Sequence, residues 1–279
     1  MWALALSSSA AAGQAVDAGH EPSCRGTVYL TLDTGNMRDA KRIAAILARH
    51  RVKATFFLAN ERTPMGDYSL DDGWREFWRA RVAEGHAFGT HTYDHVYFLR
   101  SRSDARLRAR PQFGAHAGRT LEWSARDLCA ELDRVGRRFR ELTGAGLAPL
   151  WRAPGGRLDG AVRAAAQRCG YRHVGWSPAG FLGDELPSDR FPNERLLAQA
   201  LARIRDGDVL LAHLGIWSRR DPFAPMLDHA DRGPQVPRSV FRSGCRPGPT
   251  VESRSSWGRL ICRRRPPSSI WPSRPSSSR

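Results

Sequence analysis

From Gly26 onward, short runs of large and β-branched residues alternate with stretches in which apolar positions recur every three or four residues. The short runs are TVYLTLD (27–33), ATFFLAN (54–60), HAFGTHT (86–92), APLWRAP (148–154), YRHVGWS (171–177) and DVLLAHL (208–214), and they predict strands. Between them, residues 38–50, 72–84, 124–142, 159–169 and 193–205 carry a helical period. Several of these open on Asp, Ser or Asn, whose side chains accept the free N–H groups of a first helical turn. Parallel strands need long crossovers, and helices supply them, so the predicted class is α/β with a parallel sheet or barrel. In such folds the polar side chains that do chemistry collect at the carboxyl ends of the strands.

The period stops at Pro225, which bounds a predicted catalytic domain at residues 24–225. Residues 226–279 are rich in Arg, Pro and Ser and hold eleven arginines against three acids. So little apolar surface cannot offset the entropy of ordering, so a disordered tail is expected; an out-of-frame reading of GC-rich DNA would have the same texture. Residues 1–23 begin with small apolar residues and an A-x-A-like ending but lack a basic start. They read as a degraded signal peptide or a disordered leader, and they are too short to span a membrane. Export to the periplasm or medium is the expectation that the leader carries.

The chain has 279 residues and a formal charge of +16, which raises the question of nucleic acid. Only Lys41 and Lys53 are lysines, so the charge is almost all arginine, as codon bias in a GC-rich genome produces. No specific nucleic-acid partner is expected on this count, and the basic tail is the single feature that favours one. Cys24, Cys129, Cys169, Cys245 and Cys262 are too few and too scattered for a disulfide framework, and no CxxC spacing suggests thiolate zinc.

Five polar positions fall at strand ends. Asp33 closes the first strand within TLDTG, where a carboxylate serves as a general base or, alternatively, caps the following helix. His91 and His95 in HTYDH are four apart and can face one point, a spacing that suits a divalent metal but also occurs in unrelated surface histidines. Arg152 in WRAPGG precedes a loop that bares backbone N–H groups, fit to hold a carboxylate beside an oxyanion site; a solvated arginine on a turn is the other reading. His213 ends DVLLAHL and is either a general acid or a satisfied core histidine.

Taken in order, TLDTG, HTYDH, WRAPGG, HVGWS and LLAHL resemble the five motifs of the NodB-homology polysaccharide deacetylases, carbohydrate esterase family four. The resemblance implies a distorted (β/α) barrel of seven or eight strands. It also implies Asp33 as base, His91 and His95 as ligands of a divalent metal such as zinc, and Arg152 as the group that holds the base. The Gly155 amide would be the oxyanion donor, Trp176 the tryptophan of the fourth motif and His213 the acid. Acetylated polysaccharide is the implied substrate.

Two positions depart from the family pattern. Thr34 stands where the family has a ligand Asp, which weakens the expected metal site, and Gly175 stands where an acid usually orients the histidine. Three further functions remain open: a metal-independent hydrolase of another C–N bond, a catalytically silent saccharide-binding protein, and nucleic-acid binding through the tail. Tyr93, Tyr97, Trp176 and Trp217 lie near the motifs, as sugar-stacking faces or simple packing.

Overall fold

The computed structural model describes residues 27–103 and 106–228. The expected leader and all but three residues of the expected tail lie outside them, as do Cys24, Cys245 and Cys262.

Six strands form one sheet: β1 (Tyr29–Asp33), β2 (Thr55–Leu58), β3 (Ala87–Thr90), β7 (Leu150–Trp151), β8 (Arg172–His173) and β9 (Val209–His213). Their order is β8-β7-β3-β2-β1-β9 and every pairing is parallel. β1 and β2 are buried almost throughout, because helices cover one side and the polar site packs on the other; this is why they read as continuous apolar runs. The segment after β8 crosses from one edge to the other. Val174 N–H donates to Trp151 C=O, and then Ser177 N–H to Val209 C=O and Leu182 N–H to Leu211 C=O along β9. The sheet is thus a curled α/β half-barrel, and a parallel bridge, Phe181 to Leu211, adds to its six strands where seven or eight were expected.

The helices are α1 (Ala40–Arg49), α2 (Arg75–Ala83), α3 (Ala125–Thr143), α4 (Gly160–Arg168), α5 (Asn193–Arg203) and the short α6 (Ala224–Leu227). α1 buries Ala40, Ile43, Ala44, Ile46 and Leu47 and turns Lys41, Arg42 and Arg49 to solvent. α3 buries Leu128, Leu132, Val135, Phe139 and Leu142 at the same helical spacing. A capping box between Ser124 and Asp127 starts it, and Gly144, at φ 78°, ends it. Asp159 caps α4 by accepting the Val162 N–H. Met226 and Leu227 are buried in the core, so the packed domain continues at least to Asp228.

Between β3 and α3 the chain forms a second, antiparallel sheet that the helix-and-strand period did not reveal: β4 (Tyr97–Ser103), β5 (Arg106–Arg110) and β6 (Leu121–Trp123). Its inner face, Phe98, Leu107 and Ala109, packs with Leu128, Leu132, Trp151 and Val162 into a separate cluster. A disulfide, Cys129 to Cys169, ties α3 to the end of α4.

Candidate active site

The first and last long strands of the sheet lie side by side in a register that pairs Asp33 with His213, so the two polar residues that end β1 and β9 are neighbours. β3 delivers His91 directly after Thr90, and β7 delivers Arg152 directly after Trp151, in register with Thr90. All four side chains are at least nine-tenths buried. Parallel strands that end together, rather than proximity in sequence, assemble the cluster.

Arg152 is fully buried and is not a solvated turn residue. One terminal nitrogen donates to Asp33 Oδ1 at 2.8 Å. The other donates to Thr31 Oγ1 at 2.8 Å and to Gly175 C=O at 3.0 Å, and Nε donates to Val174 C=O at 3.0 Å. Its Cζ lies 4.3 Å from the centre of the Phe57 ring. With its donors occupied in this way the guanidinium is rigid, and it fixes the Asp33 carboxylate in turn. Asp33 caps no helix. Burial alone would raise its pKa, but the charges of Arg152, His91 and His213 and the Arg152 hydrogen bond outweigh burial and hold it below the usual carboxylate value.

His91 Nδ1 lies 3.0 Å from Arg152 C=O, which assigns the proton to Nδ1 and leaves the Nε2 lone pair facing Asp33 Oδ2 at 3.4 Å. Burial lowers its pKa to about 4 despite Asp33, so the ring is neutral near pH 7. The His95 ring lies 5.0 Å from it. The segment between them is not helical. It is a tight turn with Thr92 at φ 61° and His95 at φ 48°, conformations that cost a non-glycine residue about 1–3 kcal/mol each and concentrate at functional sites. Val96 N–H to Thr92 Oγ1 and Asp94 N–H to Glu131 hold the turn.

The donor chemistry decides how far this cluster suits a metal. A carbonyl-oriented neutral imidazole is the usual state of a histidine ligand, so His91 and His95 form a fitting pair. Thr34 adds nothing to them: its hydroxyl donates to Glu61 Oε1 at 2.7 Å and accepts the Ala59 N–H at 3.1 Å. Among the described residues no group of three His, Cys, Asp or Glu side chains is placed to hold an ion. Among the described residues, two imidazoles are what the cluster offers.

His213 is the satisfied buried histidine of one reading and keeps the geometry of the other. Asp184 Oδ2 accepts from both its backbone N–H, at 2.6 Å, and its Nδ1, at 3.0 Å. Glu185 Oε1 lies 3.6 Å from Nε2. Burial would depress the imidazole, but Asp184, then Asp33 and Glu185, raise its pKa to about 10. Gly175, where an acid was missed, accepts from Arg152 instead, and Asp184 acts from nine residues further along the chain.

Gly155 and Gly156 follow Arg152 in left-handed conformations, φ 61° and 66°. A Cβ on Gly155 would come 3.2 Å from the Tyr97 ring, and one on Gly156 would come 2.7 Å from the Trp176 ring, so Tyr97 and Trp176 are the walls of this loop. Tyr93 is withdrawn from the mouth, its ring under the Arg134 guanidinium at 3.8 Å.

Glu61, Asp184 and Glu185 were missed in the sequence. Glu61 directly follows a strand-like run, a placement close to the one that selected the others; it is buried and also accepts the Gly35 N–H at 2.8 Å. Asp184 and Glu185 lie in a loop with no periodic signal.

A family model described as "Polysaccharide deacetylase" matches residues 20–174. A chitooligosaccharide deacetylase of Azorhizobium caulinodans is 25% identical over 194 residues, 68% of this chain and 75% of the relative. An uncharacterized 30.6 kDa protein of Geobacillus stearothermophilus is 24% identical over 67% of this chain, which spans only 58% of that protein's length. Among solved structures, a CE4 family pseudoenzyme from Bacillus anthracis superposes with a TM-score of 0.51 at 20% identity, over 75% of this chain and 59% of the other. A family 4 carbohydrate esterase from Streptomyces lividans, bound to acetate, gives 0.51 at 20% identity over 74% and 86%. At these identities the structures speak for the fold.

Proposed function

Because this chain belongs to the polysaccharide deacetylase family, we propose that it hydrolyses acetyl groups from an N-acetylated or O-acetylated polysaccharide. The observation that carries this reading is the pairing of an ionised Asp33, clamped by Arg152, with a protonated His213 on the adjacent strand. A base and an acid held apart in pKa at one sheet edge are what acyl transfer to water needs.

Asp33 Oδ1 is held by Arg152, and its second oxygen accepts the proton of the attacking water. The water oxygen bonds to the acyl carbon, and the oxyanion that forms is met by the Gly155 amide, bared by the left-handed turn at φ 61°. His213 Nε2 then gives its proton to the leaving nitrogen or oxygen as the acyl bond breaks, while Asp184 holds Nδ1. His91 and His95 would hold a divalent cation, which when bound polarises the acyl carbonyl. Trp176 supports the loop from beneath Gly156.

The Cys129–Cys169 disulfide supports an oxidising compartment and hence export. No described helix is long and apolar enough to cross a membrane.

One observation favours a second reading, a saccharide-binding protein without turnover: the Thr34 hydroxyl is spent on Glu61 and Ala59. Acetate release from a panel of acetylated glycans, with and without added zinc, separates the two. Release that falls by about 10²–10⁴ in Asp33→Asn supports hydrolysis, and glycan binding with no release under any condition leaves only the binding protein.

A further inference from the structure

Arg152, Arg219 and Asp184 are the most deeply buried charged residues among the described residues, at 0%, 1% and 1% exposure. The first holds the base. The other two stand behind the acid: Asp184 accepts from His213, and Arg219 lies six residues past His213 on the segment that leaves β9. A guanidinium stays out of water only where acceptors and an anion offset its desolvation. Arg219 has both. Nη1 donates to Leu186 C=O at 2.8 Å and Phe191 C=O at 3.2 Å, and Nη2 donates to Phe191 C=O at 3.2 Å and Asn193 Oδ1 at 2.7 Å. Burial pushes the guanidinium below its ordinary pKa, and Asp184 leads the carboxylates that counter this, ahead of Asp221 and Asp39.

Those acceptors border one turn. Leu186 N–H donates to Gly183 C=O at 3.0 Å, so Asp184 and Glu185 occupy the two central positions. Asp184 meets His213 Nδ1 at 3.0 Å, and Glu185 lies 3.6 Å from Nε2. Arg219 thus grips the exit of the turn that brings both carboxylates to the imidazole. Ser218 Oγ to Glu185 C=O at 3.3 Å and Asp221 N–H to Ser188 Oγ at 3.2 Å fasten the same two segments on either side of it. Asp184 Oδ1 and Arg219 Nε are also the two buried side-chain atoms on charged groups, among the described residues, that lack a hydrogen-bond partner. One is an acceptor and the other a donor, on residues that attract each other, and either would be costly to bury alone.

We propose that Arg219 is the positioning residue of the acid: by anchoring the Gly183–Leu186 turn and offsetting the Asp184 charge, it holds that carboxylate against His213, as Arg152 holds Asp33. The proposal rests on the reading of His213 as the acid. Each proton-transfer group then has its own buried arginine, and the second lies outside the five sequence motifs.

The charged groups around His213 are Asp184, Asp33 and Glu185, and those around Arg219 are Asp184, Asp221 and Asp39. Two modes of action for Arg219 differ in sign. As a mere nearby cation it would disfavour the imidazolium, so its removal would raise the His213 pKa. As a positioning residue it keeps the carboxylate in place, so its removal lowers that pKa.

The test uses the full chain with ¹³C-labelled histidine, in which the resonance missing from His213→Gln identifies His213. In the native chain that resonance titrates near pH 10. In Arg219→Gln the midpoint falls by about two pH units. In Arg219→Lys, whose compact ammonium keeps the charge but cannot span the Leu186, Phe191 and Asn193 acceptors, it falls by about one. Added to Asp184→Asn, Arg219→Lys moves the midpoint no further, because its effect passes through Asp184. Should the Arg219 variants fail to fold, Asn193→Ala removes one acceptor and leaves the guanidinium in place, with a fall of about half a pH unit. A midpoint that rises or stays put in the folded variants, or an Arg219→Lys effect of full size with Asp184 already replaced, would overturn the proposal. Acetate release, followed alongside, keeps it separate from the hydrolase reading. A lowered midpoint without acetate in the native chain removes the hydrolase and leaves the positioning, whereas acetate release with an unmoved midpoint removes the positioning alone.

Discussion

Replacing Asp184 by asparagine changes almost no volume and removes the carboxylate that keeps His213 charged. Burial is the largest cause that lowers the imidazoles of His91 and His173, both to about 4, with neighbouring cations adding to it; at His213 the Asp184 charge and hydrogen bond, followed by Asp33 and Glu185, reverse the effect of burial and lift the pKa to about 10. A rise from 6.5 to about 10 corresponds to about 5 kcal/mol of preference for the charged ring, near the 3–5 kcal/mol typical of breaking a buried ion pair. The sign follows from linkage. A pKa raised by folding stabilises the native state fully below the unfolded value, and this stability is lost as pH climbs through the folded value. The native chain should thus lose stability between about pH 6.5 and 10, by up to about 1.4 kcal/mol per pH unit from this group. Asp184→Asn should lack that slope. Urea unfolding at half-unit intervals over this window should show the variant weaker by about 3–5 kcal/mol at pH 6.5, with the gap closing toward pH 10. If the chain is active, the alkaline limb of its kcat/KM profile should move down by several units in the variant. A gap of constant size, or native stability that is flat across the window, would refute the assignment of Asp184 as the partner that charges His213.

Three other outcomes follow from the same geometry. Arg152→Met leaves Asp33 buried without its cation and should cost about 3–5 kcal/mol near neutral pH; because Asp33 is depressed in the fold, its own stabilisation is lost as pH falls through that lowered pKa, so the penalty should shrink in acid unfolding titrations. Thr34→Asp supplies a third metal donor but sets it against Glu61, so calorimetry should show at least about tenfold tighter zinc binding in Thr34→Asp/Glu61→Gln than in the native chain and a smaller gain in Thr34→Asp alone; equal gains in both would mean that Glu61 does not oppose the new ligand. Replacing Cys129 and Cys169 together by serine opens a cross-link 40 residues wide and should lower unfolding stability by about 2–4 kcal/mol, measured by denaturant titration under oxidising conditions.

The periodicity of the chain sufficed for the six parallel strands and five of the helices, because buried central strands and one-sided helices impose patterns that local reading detects. The antiparallel sheet went unseen although residues 106–110, RLRAR, alternate as an exposed-buried strand should. Its arginines are as abundant as those of the loops, and composition hid the alternation. Strand ends likewise located Asp33, His91, Arg152 and His213, and the same rule would have found Glu61 after β2 had it been applied there.

Other features depended on the assembled fold. Asp184 reaches His213 from 29 residues away because the segment after β8 crosses to β9, and no local pattern records a crossing. The occupied Thr34 hydroxyl, the carbonyl behind His91 and the Cys129–Cys169 bond are likewise contacts between distant segments. The one-dimensional pattern determined which residues stand at the carboxyl edge of the sheet, since burial periodicity is local. Which of them hold protons, which are already satisfied and which face a ligand was decided by the tertiary structure, because charge, desolvation and hydrogen bonding depend on neighbours that only folding brings together.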